Sequence, residues 1–348
     1  MTDVLPPVIR PIQPAEYPAE VALLRAAYGA GPYAAELAGN PEWERSVSDT
    51  VGRDADGRVL VAEEGGELLG AASVLRSDSS HAKLALAGEA ELRLVAVSPA
   101  AQGRGIGEAL VRAGLEEALR WGAPALRLDT GIRNPAQRLY ARLGFERTGD
   151  RDGDRSGAGY GASLTYRFGL QDRADVRVRL IRGSEIAEVS DLVLAAYRDE
   201  YPHLDPAYLA DIADVATRAA KHLVWVAEDT ATGELLGTVT TPRERELLTS
   251  VSLAGEMDIR LLGVSRGARG RGIGELLTRH SLRLAGIRGA RQLTLETSPL
   301  MAPAQRLYER LGFDLFPERA RVITLADGAE LSLLTFGMPL ATPAGAAL

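Results

Sequence analysis

Two short stretches carry the clearest chemical signal: Gln102-Gly103-Arg104-Gly105-Ile106-Gly107 and Arg269-Gly270-Arg271-Gly272-Ile273-Gly274. Alternating glycines remove Cβ atoms where a ligand must approach the main chain closely. Each stretch follows an apolar, strand-like run and opens a helical pattern. Free backbone N–H groups and the positive end of the helix dipole then converge on one point, which suits a phosphate or pyrophosphate. Arg104 and Arg271 add charge-assisted donors. Spacing excludes two other phosphate loops. A Walker A loop needs Gly-Lys-Ser/Thr, and neither stretch holds a lysine. A dinucleotide GxGxxG would need glycine where Glu108 or Leu110 stands.

Other chemistry is limited by what the chain lacks. Its 348 residues include no cysteine, which excludes disulfides, thiolate nucleophiles and cysteine-bound metals. The histidines His81, His203, His222 and His280 are scattered and form no metal-binding pair, so no metal is expected. Forty basic and 47 acidic residues give a net charge of −7, with no basic stripe to suggest a nucleic-acid partner. No apolar run approaches the ~20 residues of a membrane helix. The N-terminal MTDVLPPVIR lacks a signal peptide's basic segment and apolar core, so a cytoplasmic protein without a membrane partner is expected.

The elements that position the glycine loops occur twice. Residues 97–110 and 264–277 are identical at 10 of 14 positions, at an offset of 167. PAQRLYARLGF (135–145) and PAQRLYERLGF (303–313) agree at 10 of 11, at an offset of 168, so one residue is inserted near 298–302. This period is the length of a domain. The spacing predicts domains over 1–170 and 176–348, joined by the polar connector 171–175, with an exposed hairpin loop over 149–162 before the final strand 164–170. Each copy reads as a strand (8–12; 176–182), helices over 15–28 and 41–52 (184–198 and 205–220), and two strands (58–64 and 68–75; 222–229 and 235–241). A longer strand follows (91–98; 258–265), then the loop and its helix (104–121; 271–287), another strand (125–130; 292–297) and a last helix (134–143; 302–311). This is an α/β order with a mostly antiparallel front half.

The pattern V-S-x-x-x-[QR]-G-R-G-I-G, followed by a helix, a strand and [NA]-P-A-Q-R-L-Y-x-R-L-G-F, resembles the GNAT superfamily of N-acetyltransferases across both halves. The resemblance implies two tandem domains, each a mixed sheet splayed near its middle and flanked by helices. Acetyl-CoA would lie in the splay as acyl donor, its pyrophosphate on the loop amides. Backbone groups of Val95 and Val97, and of Leu262 and Val264, would pair with the pantetheine arm, their side chains lying in the core. Glu91 and its counterpart Asp258 would take the amine proton through water, with Glu89 and Glu256 as alternatives; all four otherwise read as solvated charges at a strand end. Tyr140 and Tyr308 would protonate the leaving thiolate, and otherwise read as core aromatics. Asn134, an N-cap before Pro135, would also touch the pantetheine arm. The second copy has Ala302 there.

The resemblance implies acetyl transfer to a primary amine of a small molecule or peptide by direct attack in a ternary complex. The acceptor pocket would be built by the connections Tyr28–Tyr33 and Tyr197–His203, where Asp199 and Glu200 could attract a cationic amine. Ala302 and Asp258 leave open a chain with one catalytic half, and a non-catalytic acyl-CoA-binding sensor is a third possibility. Either a monomeric pseudo-dimer or a homodimer is compatible with the duplication.

Overall fold

A computed structural model describes residues 7–150, 152–154, 162–201, 204–243, 246–324 and 330–340. The chain divides between Leu170 and Gln171 into two units. Most of the expected hairpin loop 149–162, together with Pro202 and His203 of the second acceptor connection, lies outside the described residues.

The first unit runs β1 (Val8–Pro11), α1 (Tyr17–Gly29), α2 (Ala34–Leu37), α3 (Pro41–Ser48), α4 (Thr50–Ala55), β2 (Gly57–Glu64), β3 (Glu67–Arg76) and β4 (Ala90–Val97). It continues with α5 (Ile106–Trp121), β5 (Ala125–Gly131), α6 (Gln137–Arg142), β6 (Glu146–Arg147), β7 (Gly153–Asp154) and β8 (Ala162–Gly169). The second unit repeats the order with β9 (Val176–Leu180), α7 (Ile186–Glu200), α8 (Pro206–Ala213), α9 (Val215–Lys221), β10 (Leu223–Asp229), β11 (Leu235–Thr241) and β12 (Glu256–Val264). It closes with α10 (Ile273–Arg288), β13 (Gln292–Thr297), α11 (Ala302–Leu311), β14 (Asp314–Leu315), β15 (Arg321–Thr324) and β16 (Glu330–Pro339).

The sheets have matching orders, β1-β2-β3-β4-β5-β8-β6 and β9-β10-β11-β12-β13-β16-β14, with β7 beside β8 and β15 beside β16. All neighbours are antiparallel except β4–β5 and β12–β13. Those parallel pairs join only over a short stretch. Strand β4 meets β5 at Ala90↔Leu126 and Glu91↔Arg127. Strand β12 meets β13 from Glu256↔Gln292 to Ile259↔Leu295. Just beyond, Leu94 (φ 52°) and Leu261 (φ 53°) adopt left-handed backbone, and the register against β3 and β11 shifts. A leucine there costs roughly 1–3 kcal/mol. The bulge turns the second half of each long strand away from its parallel neighbour and opens the sheet.

Helices α5 and α10 cover the opened strands closely because β3 and β11 carry glycine. A Cβ on Gly70 would sit 2.9 Å from Leu110 Cδ1 of α5, and one on Gly237 3.0 Å from Ile273 Cγ2 of α10. Two expected helices are each broken in two. Asp49 accepts from the Gly52 N–H (2.9 Å) and Asp214 from the Thr217 N–H (3.1 Å). Each aspartate thereby stops one helix and caps the next.

Candidate active site

The glycine loops lie where β4 and β12 hand over to α5 and α10. Gly103 and Gly105 (φ 80° and 77°), and Gly270 and Gly272 (both 76°), occupy the left-handed region that glycine enters freely. A Cβ on Gly103, Gly105 or Gly270 would meet nothing within 4 Å, so the loop face is open. The first helical turn supplies N–H groups without intrahelical partners. Ile106 and Ile273, each 1% exposed, anchor the turn in the core. Gly107 faces both the bulged strand and the last helix. A Cβ there would stand 3.7 Å from Val97 Cγ2 and 4.0 Å from Leu139 Cδ2. At Gly274 the distances are 3.7 Å to Val264 and 3.2 Å to Leu307. Loop, bulged strand and tyrosine-bearing helix thus meet in both halves.

In the second half these parts enclose a cleft of about 570 Å³. Leu262, Val264, Arg269, Gly270, Gly272, Ile273, Gly274 and Tyr308 line it, as do Tyr197 and Tyr201 of the acceptor connection. Leu262 and Val264 are half-buried cleft residues rather than core, and Val95 and Val97 are likewise only half-buried, because the splay leaves one side without a neighbouring strand. This corrects the expectation for their side chains.

Tyr140 and Tyr308 are each 5% exposed, ringed by Phe145 and Tyr166 and by Phe313 and Phe336. Burial raises both phenols well above their ordinary range, and the charges of Asp129 and Tyr166 add to the effect at Tyr140. Both therefore stay protonated at neutral pH.

The carboxylates sit differently from a solvated strand end. Glu91 is 0% exposed, and its Oε2 accepts from the N–H groups of Lys83 (2.7 Å), Leu84 (2.6 Å) and Ala85 (3.1 Å). Asp258, equally buried, accepts from Leu248 N–H (2.9 and 3.0 Å) and Thr249 N–H (2.6 Å). Both tie down the loop before their strand, and Asp258 is outside the cleft lining. Glu89 bonds Arg127 (2.5 Å) and Arg167 (3.2 Å), and Glu256 bonds Arg319 (2.9 Å). Burial opposes the charge of each, but arginines and one backbone N–H outweigh it and hold both below the usual carboxylate range. Paired in this way, Glu89 and Glu256 are structural, which removes them as alternative bases.

Three further expectations change. Arg104 pairs with Glu64 (2.6 Å) and Arg271 with Asp229 (3.0 Å), so their charge is already balanced at the ends of β2 and β10. Asn134 does not cap a helix beginning there. Its Oδ1 accepts from Ala136 N–H (3.0 Å) in a turn, and α6 starts at Gln137. In the second half α11 does start at Ala302, and the Ser298 hydroxyl accepts from Leu300 N–H (3.2 Å) in the turn just after β13. Gln102 is exposed, whereas Arg269 donates to the Ala196 carbonyl (3.4 Å) and lies 3.8 Å from Asp199. Asp199 is thus matched by a cation, and it is absent from the cleft lining.

Sequence reasoning placed Tyr33 at the end of the first acceptor connection and missed three residues of the second half. In the first half, the Tyr33 hydroxyl accepts from Arg133 N–H (2.8 Å) and fills the space a Cβ on Gly131 would need. In the second, Arg260, Glu296 and Met301 join the lining. Arg260 could have been found from strand alternation, two residues beyond Asp258. The closure of Tyr33 on Gly131 and Arg133 is a contact about 100 residues apart in the chain, which no local pattern contains.

Among the described residues, no group of three or more acidic or histidine side chains is placed to hold a metal, and no helix is long and apolar enough to cross a membrane.

The model of the acetyltransferase (GNAT) family matches residues 23–145 and again 186–313. A mycothiol acetyltransferase of Mycobacteroides abscessus is 31% identical over 278 residues, covering 75% of this chain and 82% of the relative. One from Nocardia farcinica is 30% identical over 299 residues, covering 80% and 86%. Glucosamine 6-phosphate N-acetyltransferase 1 of Oryza sativa subsp. japonica is 30% identical over 136 residues, covering 38% of this chain and 79% of that protein.

Proposed function

The chain belongs to the acetyltransferase (GNAT) family, and from that membership we propose how its residues carry acetyl from acetyl-CoA to a primary amine of a small molecule. The observation that carries the proposal is the second-half cleft, where an open glycine loop, a bulged strand and a buried protonated tyrosine share one wall. The loop amides of residues 269–274 and 102–107 meet the coenzyme's pyrophosphate. Backbone groups of Leu262 and Val264, freed by the splay, pair with the pantetheine arm, as do those of Val95 and Val97. Asn134 adds a contact in the first half.

The amine nitrogen attacks the thioester carbonyl, and the C–S bond breaks as the amide forms. Tyr308 supplies a proton to the departing sulfur, and Tyr140 does so in the first half. Burial keeps both phenols protonated, so each is a hydrogen-bond donor to the developing thiolate, and the proton released by the amine balances any proton passed to sulfur. The amine proton leaves through water toward Asp258 or Glu91. A carboxylate has about four lone-pair sites, so the loop N–H bonds leave room for a water. With no cysteine in the chain, direct attack without an acyl-cysteine fits.

The mycothiol acetyltransferases are relatives over most of their length, and we place the acceptor here among small amines. Tyr308→Phe and Tyr140→Phe, assayed separately with an amine panel and a free-thiol readout, test the roles. Each should lower kcat by about 10²-fold or more in its own half, with coenzyme binding retained. Undiminished kcat in both variants would remove the tyrosines from the chemistry.

A further inference from the structure

Arg93 and Arg260 hold the same place in the two halves, two residues after the loop-anchoring carboxylate and just before the bulge. Their surroundings differ. In the first half, Arg93 Nη1 donates to the His81 carbonyl oxygen (2.5 Å), and its Nε lies 3.6 Å from Glu91 Oε1. Glu91 can offer that oxygen because its three N–H partners all bind Oε2. Asp258 is one methylene shorter, and both of its oxygens accept from the loop. No oxygen of Asp258 is left wholly unbonded as Glu91 Oε1 is, and Arg260 makes no hydrogen bond or ion pair with it among the described residues. Arg260 is exposed, lines the cleft, and makes no ion pair among the described residues.

The nearby acidic groups do not compensate it. Glu296, across the cleft on β13, is held by both Nε and Nη2 of Arg321 at 2.8 Å. Asp199 faces Arg269 at 3.8 Å. A second cation stands behind. Arg218 donates to the carbonyls of Asp211 (2.5 Å) and Ile212 (2.7 Å), and its buried Nε has no partner. Burial lowers its pKa, and the charge of Arg260 adds to that despite opposing Asp211 and Asp214. Tyr197 shares a core cluster with the bulge residue Leu261, and Tyr201, Tyr208 and Met301 pack against that cluster. Tyr197 and Tyr201 line the cleft with Arg260, and the charges of Arg260 and Arg218 reach Tyr208. Arg260 precedes Val264 by four strand residues, roughly 13 Å, on the side away from the phosphate loop. The coenzyme's pyrophosphate therefore does not account for it.

We propose that the second half takes an acceptor carrying an anionic group, a carboxylate or phosphate, as well as its amine, and that Arg260 binds that anion in the cleft that Tyr197 and Tyr201 line. Arginine presents a planar fork of donors that matches either oxyanion. This inference rests on the acetyl-transfer proposal and replaces the cationic acceptor that Asp199 and Glu200 suggested.

The test uses the full chain carrying Tyr140→Phe, so that turnover reports the second half. Acetylation is compared within two matched pairs, O-phosphoethanolamine with ethanolamine and β-alanine with propylamine. The anionic member of at least one pair should be favoured in kcat/KM by about tenfold or more, mainly through KM. The pair with the larger ratio identifies the oxyanion. Arg260→Gln should bring that ratio near one, and Arg260→Lys should retain part of it. Calorimetric binding of acetyl-CoA by each variant checks that the cleft is folded. Equal rates within both pairs, or a ratio unchanged in Arg260→Gln, would overturn the anion site and leave acetyl transfer standing. Transfer to no amine, with acetyl-CoA still bound, would overturn both.

Discussion

At the scale of single residues, the two buried carboxylates do more than their position in the chain implied. Glu91 and Asp258 each gather backbone N–H groups of the preceding loop, so each orders the acceptor side before any chemistry occurs. Proton transfer through water would be a second task for the same group. Asp258→Asn separates them. It should lower kcat in the second half by about 10²-fold or more with the Michaelis constant for acetyl-CoA unchanged. A rate loss matched by a loss of folded protein would assign the carboxylate to loop anchoring alone. The one-methylene difference between Glu91 and Asp258 has a further result, since it decides whether the arginine two residues on is occupied or free.

At the scale of elements, the second half carries a buried histidine that its packing must keep neutral. His280 on α10 is 1% exposed, lies edge-on to Trp225 with ring centroids 4.4 Å apart, and has no hydrogen-bond partner on either ring nitrogen. Burial, with Arg283 nearby, pushes its pKa down to about 3. The unfolded chain binds this proton near pH ~6.5 and the folded chain does not. Stability is therefore complete above pH ~6.5 and falls as pH drops toward 3, by at most about 1.4 kcal/mol per pH unit. Thermal unfolding between pH 7 and 5, where most carboxylates stay ionised, should show the loss, and His280→Phe should flatten it. An unchanged slope in the variant would place the effect elsewhere.

The strand and helix order was legible in the sequence because each element carries its own period and each glycine loop its own punctuation. What local pattern could not supply was the break at Asp49 and Asp214, where a side-chain cap overrides a helical run. Nor could it supply the pairing of Arg104 and Arg271 with carboxylates some 40 residues earlier. Asn-Pro reads as a cap at the start of the last helix, but Asn134 holds the turn before it and Gln137 begins the regular turns.

At the scale of the whole molecule, duplication has preserved the coenzyme side and let the acceptor side diverge. Both halves keep left-handed glycines, an identical bulge and a tyrosine sealed among aromatics. They differ where Tyr33 closes on Gly131 in one and Arg260 stands open in the other. The account therefore places two coenzyme sites in one chain and different amines beside them. Its central claim is that each glycine loop seats acetyl-CoA, and calorimetric titration of the full chain with acetyl-CoA tests this most directly. The account predicts about two equivalents bound per chain, set by the two loops. Uptake of a single equivalent would contradict it for one half, and no uptake would contradict it for both.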